Sequence, residues 1–381
     1  MRVADIKTTK RITAKDVKPL EIQAWDVRNN YPQKLLDAIA ESGTAASCFD
    51  VYKSFLRGQG FPTQLADSIV NEKGQNLNDL LMLAANDIAY FGGIAIHVNY
   101  NLFYEITEVQ VIPFEQTRLG LPKKEDSSQV VKIAVNKDWT GVKKKASKEN
   151  TEYIHVYNPD PAVLQSEIDD AGGIANYKGQ ILWLTSDMDY QYPISIVDPV
   201  ITDVNTEGGV ATVKNRNVKN NFFPAGALIF DKYIGENKDN EDQDSREENE
   251  DTTYVDAVKD MQGDANACNV VVFTKEPGEN PPAFVKFSGE NYDTAFEKTE
   301  TTVQANIAKR FKQPASLRCE NYSNGFAADR MKDDYTYYNT VTKDERRLLE
   351  RGFAKVLANY ITPIDLSQIK ITPSVYGGIT N

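Results

Sequence analysis

The sequence predicts an α+β fold, on the strength of two changes of hydrophobic period and the bulk composition. Apolar residues recur at three-to-four spacing up to Tyr90, alternate with polar ones in short runs between residues 94 and 185, and return to helical spacing from Pro193 onward. At 41% hydrophobic and 26% charged, the 381 residues carry enough apolar material to bury a core. No run of about eighteen apolar residues occurs, so nothing reads as a membrane span. The polar start Met1-Arg2-Val3-Ala4-Asp5 lacks the apolar stretch of a signal peptide, and the chain is expected to begin in a cytosol.

Residues 1–30 are polar with apolar positions at Val17, Leu20 and Ile22, which suits an arm or an edge strand. Tyr31-Pro32 opens a helix running through Leu35, Ile39, Cys48, Val51, Phe55 and Leu56, stopped by Gly58 and Gly60. Asn76 is an N-cap for a helix carrying Leu77, Leu80, Leu81, Ala84 and Ile88, ended by Gly92-Gly93. Ile94, Ile96 and Val98 then alternate. Val109, Val111, Ile133, Val135, Ile154, Val156, Ile181 and Trp183 sit in short runs bounded by Gly, Pro and Asp, so a mostly antiparallel sheet is expected.

From Pro193, the residues Val197, Val200, Ile201, Val204, Val210 and Val218 line one face of a helix reaching Asn221. Gly208-Gly209 in its middle costs on the order of 1 kcal/mol per glycine against Ala, so one long helix with a closely approached point and two shorter helices both fit. Residues 222–289 read as a small α/β module. It has a strand at Leu228-Ile229-Phe230, an acidic loop, a short helix Thr253–Gly263, and strands Val270–Phe273 and Phe284–Phe287. A second long helix, Tyr292–Phe311, stops ahead of Pro314, because the residue before proline avoids the α region. Residues 314–325 form a polar loop. A third long helix, Phe326–Tyr360, carries Met331, Tyr335, Tyr338, Leu348, Leu349, Phe353 and Val356, and Asp365–Ile371 is a last strand-like piece.

Cys48, Cys268 and Cys319 lie far apart with no CxxC pair, which suits buried reduced thiols. Only two histidines occur, His97 and His155, and no HExxH, GxSxG or GxxxxGK[ST] motif accompanies them. Acid pairs such as Asp169-Asp170, Asp333-Asp334 and Asp187/Asp189 arise readily among 55 acidic residues, and nothing links them to a nucleophile. No enzyme, cofactor or metal is expected. The net charge of −12 argues against a nucleic-acid binder at face value. However, Glu236–Asp251 alone holds nine acids and two bases, a net of −7, which leaves −5 on the remainder. That run lacks the order of an EF-hand loop. A solvated hairpin tip, a docking surface for a basic patch and a divalent-metal site are all open to it.

The order of these elements resembles the portal proteins of tailed bacteriophages, particularly the gut Bacteroidales-type. Local sequence adds to the resemblance: Asn29-Asn30-Tyr31-Pro32-Gln33-Lys34-Leu35-Leu36, Asp87-Ile88-Ala89-Tyr90-Phe91-Gly92-Gly93-Ile94-Ala95, Tyr192-Pro193-Ile194 to Asn221-Phe222, and Ile307-Ala308-Lys309-Arg310-Phe311-Lys312-Gln313-Pro314. The resemblance implies a wing at 1–192, a first stem helix at 193–221, a clip at 222–289, a second stem helix at 290–313, and a tunnel loop at 314–325. A long wing helix and short tail would follow at 326–381. With 21 residues after Tyr360, little or no crown is expected.

It further implies a homododecameric ring at one virion vertex, assembled in the host bacterial cytoplasm. Double-stranded DNA would pass through it non-specifically during packaging and ejection. Terminase, the major capsid protein and a head-completion adaptor would be partners, and no membrane is involved. Another ring-forming tail or connector protein is the alternative.

The implied channel residues are Arg318, Asn321, Tyr322 and Ser323 of the loop, Lys309 and Lys312 just before it, with Arg310 among them, and Lys214, Arg216 and Lys219 on the first stem helix. A conduit must not grip a sliding duplex, and each lysine–phosphate contact adds counterion-release free energy, so a few scattered cations suit it better than a basic groove. The same cations also suit a solvated helix face. A loop of this length exceeds the roughly two to eight residues usual between helices.

Overall fold

The computed structural model describes residues 14–62, 66–122, 130–141, 146–186, 192–220, 227–231, 271–275, 292–318 and 328–377. The acidic run Glu236–Asp251 and the expected helix Thr253–Gly263 and strand Phe284–Phe287 lie outside them. The chain divides into two compact units: Met1–Asn205 with Gln304–Asn381, and Thr206–Val303.

In the first unit, strands β1 (Ala14–Val17) and β2 (Ile22–Trp25) form an antiparallel hairpin. All four β2 residues are buried, and Ile22 bridges to Gly120 beside β5 (Thr117–Leu119). Helices α1 (Tyr31–Glu41) and α2 (Gly43–Arg57) replace the single helix expected from Tyr31 to Leu56. The break is at Ser42, which is extended at ψ 109° and accepts the Ala45 N–H on its hydroxyl. A serine that caps a new helix in this way stops the one before it.

Helix α3 (Leu77–Phe91) begins and ends where the sequence places it. Asn76 Oδ1 accepts from Asp79 N at 2.8 Å, Asp79 Oδ2 accepts from Asn76 N at 3.0 Å, and Gly92 closes the helix at φ +76°.

Strands β3 (Gly93–Tyr100), β4 (Ile106–Ile112), β5, β6 (Lys132–Val135), β7 (Glu152–Val156) and β8 (Gln180–Thr185) make one sheet in the order β4-β3-β8-β7-β6-β5. Neighbouring strands in this sheet pair antiparallel except β7–β8, which is reached through helix α4 (Pro161–Asp170) and is parallel. A crossover helix between parallel neighbours is what such a connection requires.

Helix α5 (Ile201–Asn220) follows a 3-10 turn at Asp198–Val200 and runs through Gly208-Gly209 without a break. At Gly209 an added Cβ would meet nothing within 4 Å, so no close approach accounts for that glycine. Helix α6 spans Tyr292–Phe311, the limits expected from sequence.

The third long helix is instead two, α7 (Ala328–Val341) and α8 (Lys343–Leu357). Thr342 lies between them at φ −93° and ψ 9°. Its buried hydroxyl donates to the Tyr338 carbonyl at 2.9 Å and accepts from Arg346 Nη1 at 2.6 Å, while Arg346 Nη2 takes the Asn339 carbonyl at 2.5 Å. Side chains that occupy backbone acceptors compete with the helical ladder at that point. Helix α8 lies on the sheet through Gly352, where a Cβ would stand 3.0 Å from Ile94 Cδ1 and 3.2 Å from Leu184 Cδ1.

Asp365–Ile371 is not a strand. A 3-10 turn forms at Leu366–Gln368, with Asp365 accepting from Ser367 N, and the tail then pairs Thr372 with Gln59 and Gly60 through two backbone hydrogen bonds.

In the second unit, β9 (Ala227–Asp231) pairs with β10 (Val271–Lys275) in parallel, at the positions expected for two of the three module strands.

Candidate functional site

The end of α6 is fixed by its apolar side. Ile307, Ala308 and Phe311 are almost fully buried, and the Phe311 ring meets Phe49 edge-on at 4.8 Å. That orientation turns Lys309, Arg310 and Lys312 to the exposed side. Lysine and arginine in a last helical turn also complement the negative end of the helix dipole. Arg310 Nε donates to the Ile196 carbonyl at 2.5 Å, tying the end of α6 to the segment that leads into α5. Lys312 ends the helix at φ +53°.

Gln313 then turns inward. Its Nε2 donates to the Cys48 carbonyl at 2.6 Å and to Tyr338 Oη at 3.0 Å. After Pro314 the chain makes a 3-10 turn at Ala315–Arg318, and Ser316 Oγ donates to Asp334 Oδ2 at 2.5 Å. The first part of the loop is therefore pinned to α2 and α7, and it delivers a half-buried Arg318. Asn321, Tyr322 and Ser323 lie outside the described residues. Arg310, Phe311 and Lys312 also border a cavity of about 230 Å3 with Tyr52 and Glu345. Tyr52 Oη donates to Glu345 at 3.1 Å, and burial, followed by the nearby Glu345 charge, pushes the Tyr52 hydroxyl well above its ordinary range.

Of the three α5 cations, Lys214 is paired with Glu300 of α6 at 2.5 Å, within the second unit. The sequence offered no sign of this partner, because the two residues sit on separate helices joined by a long connection. Arg216 and Lys219 are in α5, and their side chains lie outside the described residues.

Both histidines are engaged by neighbouring groups. His97 Nε2 lies 2.7 Å from the Lys178 carbonyl, and His155 Nδ1 lies 3.1 Å from Glu167. Glu167 also accepts from Tyr177 Oη at 2.6 Å and Gln180 Nε2 at 2.8 Å. Burial raises the Glu167 acid while these hydrogen bonds from His155, Tyr177 and Gln180 lower it, for a net shift below the ordinary range. Asp334 is spent on Ser316, and among the described residues no group of three His, Cys, Asp or Glu side chains is arranged to hold a metal ion.

The arrangement can therefore offer an anionic polymer a few exposed cations at one helix end, held on a rigid base. Nothing in the local sequence signals that Gln313, Ser316 and Asp334 create that base.

No protein-family model matches the chain, and no curated protein matches it. Solved structures do. A chain in the virion of a native gene transfer agent (GTA) particle aligns with TM-score 0.51 and 13% identity, over 87% of this chain and 81% of that one. A chain in the neck of a native GTA particle, computed with C12 symmetry, gives TM-score 0.51 and 13% identity over 91% and 85%. A crystal structure of an HK97-family phage portal protein from Corynebacterium diphtheriae aligns at TM-score 0.40 and 12% identity, over 84% and 88%. At these identities the likeness is one of fold.

Proposed function

We propose that the chain is a ring subunit of the portal type, the head-to-tail connector through which double-stranded DNA is packaged and ejected. The observation that supports this best is the fold shared, across 91% of the chain, with a component of a particle neck computed with C12 symmetry. The symmetry of that neck supports a cyclic ring closed by head-to-tail contacts, with twelve copies as its expected number. The local motifs at Asn29–Leu36 and Asp87–Ala95 extend the reading to the gut Bacteroidales-type portals.

In this reading Lys309, Lys312 and Arg318, with Asn321, Tyr322 and Ser323, meet DNA transiently at the channel. Arg216 and Lys219 do so from the first stem helix, whereas Lys214 is held back by Glu300. A subunit of net charge −12 suits a duplex that must slide, because few phosphates are neutralised. Terminase, the major capsid protein and a head-completion adaptor are the partners this role requires.

The test is electron-microscope class averaging of the purified protein. Rings with a central hole are expected, and monomers at all salt concentrations and micromolar protein overturn the reading. A ring that never retains protected DNA when assembled into particles favours the second reading, a structural connector elsewhere in the neck, which the neck origin of the matched chain also accommodates.

A further inference from the structure

A cavity of about 760 Å3 opens between α7, α8 and the tail. The tail is a built wall. Asn339 Nδ2 donates to the Ser374 carbonyl at 2.7 Å, Ile371 N donates to Glu350 Oε1 at 2.8 Å, and Thr372 exchanges backbone hydrogen bonds with Gln59 and Gly60 at 2.8 and 3.0 Å. The Tyr335 and Tyr376 rings meet at 5.7 Å.

The lining is strongly asymmetric in charge. Lys332, Lys343, Arg346, Arg347 and Lys370 face it, against the single carboxylate of Glu350. Glu350 is already engaged by the Ile371 N–H and by Lys370 at 3.6 Å. Arg346 is fixed in the floor by the Phe55 and Asn339 carbonyls. At the rim, the Arg347 side chain is 63% exposed, and Asp344, 3.9 Å away, is 92% exposed. Between the cations the lining carries Tyr335, Pro373 and Val375, the last 49% exposed, beside the polar Thr336, Thr340 and Ser374.

We propose that this groove docks an acidic peptide segment of a partner protein, one with apolar side chains between its carboxylates. Carboxylates meet the cationic rim, and the apolar side chains cover the floor between Tyr335 and Val375. A duplex meets the cations through its phosphates alone, whereas a single strand adds base contacts to Tyr335, and the DNA probe below separates that case. The rest of a chain of net charge −12 repels an acidic segment, so charge selects this groove over the remaining surface. The inference goes beyond the ring reading and does not depend on it, since the groove is built from residues of one copy.

The test is fluorescence anisotropy on the full-length protein with three probes. These are a labelled peptide of about a dozen alternating glutamates and leucines, the same peptide with serine for glutamate, and a single-stranded DNA of similar length. The acidic peptide is expected to bind best. Lys343→Glu with Arg347→Glu should weaken it by about tenfold or more, and Val375→Asp should weaken it independently. Lys343 and Arg347 are both exposed, so the reversals leave the packed face of α8 untouched, and folding is checked by the melting temperature. No binding of the acidic peptide, binding untouched by these variants, or tighter binding of the DNA each overturns the proposal. Ring yield, measured on the same samples, reports separately on the portal reading.

Discussion

Arg118 is anchored by Asn29: its buried Nε donates to Asn29 Oδ1 at 2.5 Å, and its Nη2 donates to the Asn29 carbonyl at 3.1 Å. The same Oδ1 accepts from Trp25 N at 3.0 Å, and Asn29 holds φ +56° to do both. Burial pulls the guanidinium down to about 10, while Tyr192 and Glu115 favour its charge. Asn29→Ala removes the acceptor and leaves two buried donors short, which is expected to destabilise the first unit by roughly 1–3 kcal/mol. Asn29→Gly restores the backbone freedom without the acceptor and should recover only part of the loss. Thermal unfolding followed by tryptophan fluorescence reads both, with Trp25 stacked over Tyr192 as the reporter. Equal stability of all three proteins would contradict the assignment.

Asp87 is 8% exposed and accepts only the Phe114 N–H at 3.2 Å among the described contacts. Burial, with Glu115 adding to it, raises its acid well above the ordinary range. A carboxyl raised in the folded state favours folding below its unfolded pKa, and that contribution is lost as pH rises through the folded value. Asp87→Asn should therefore melt higher than the parent near pH 8, with the gap closing only as pH falls below ~4, where Asp87 becomes protonated in the unfolded state as well. A gap that is constant with pH, or of opposite sign, refutes this.

Gly93 lets the Phe114 ring lie against the backbone, and a Cβ there would stand 2.4 Å from Phe114 Cζ. Phe114 is itself wedged against Trp25 at 5.5 Å and Trp183 at 4.3 Å, so it has no room to yield. Gly93→Ala should cost about 1–3 kcal/mol, measured as a fall in denaturation midpoint. Gly209→Ala, in open space within α5, should be neutral or stabilising by up to about 1 kcal/mol.

The Lys214–Glu300 pair predicts a small coupling, because the two side chains are 42% and 29% exposed. A double-mutant cycle with Lys214→Ala and Glu300→Ala should give less than about 1 kcal/mol, falling as salt is added. A larger coupling that salt leaves unchanged would mean that the pair is buried in the assembled protein.

Neutralising Lys309 and Lys312 to glutamine, or Arg318 to alanine, should leave ring yield unchanged under the portal reading. It should lower the protected DNA per particle. Loss of rings would assign these residues to a contact between subunits.

How far each feature was legible follows from the range of the interactions that make it. Helix α3 was readable from end to end because Asn76, Asp79 and Gly92 act within one turn of its termini. Helix α6 and the alternating strands were readable for the same reason, and at the site Lys309, Arg310 and Lys312 were visible as a basic helix end. The breaks at Ser42 and Thr342 were not, because each depends on whether a hydroxyl turns to a backbone partner, and at Thr342 Arg346 helps decide it. Gly208-Gly209 stays helical where propensity left two outcomes open. The base of the loop rests on Gln313 reaching a carbonyl 265 residues away, and the cationic groove on a tail folding back over α7 and α8. By itself the sequence determined the α+β class, the limits of its best-capped helices and where its charge is concentrated, since periodicity and caps are properties of neighbouring residues. Which polar side chains are buried, paired or left facing a cavity was decided only by tertiary packing, which sets their partners across the chain.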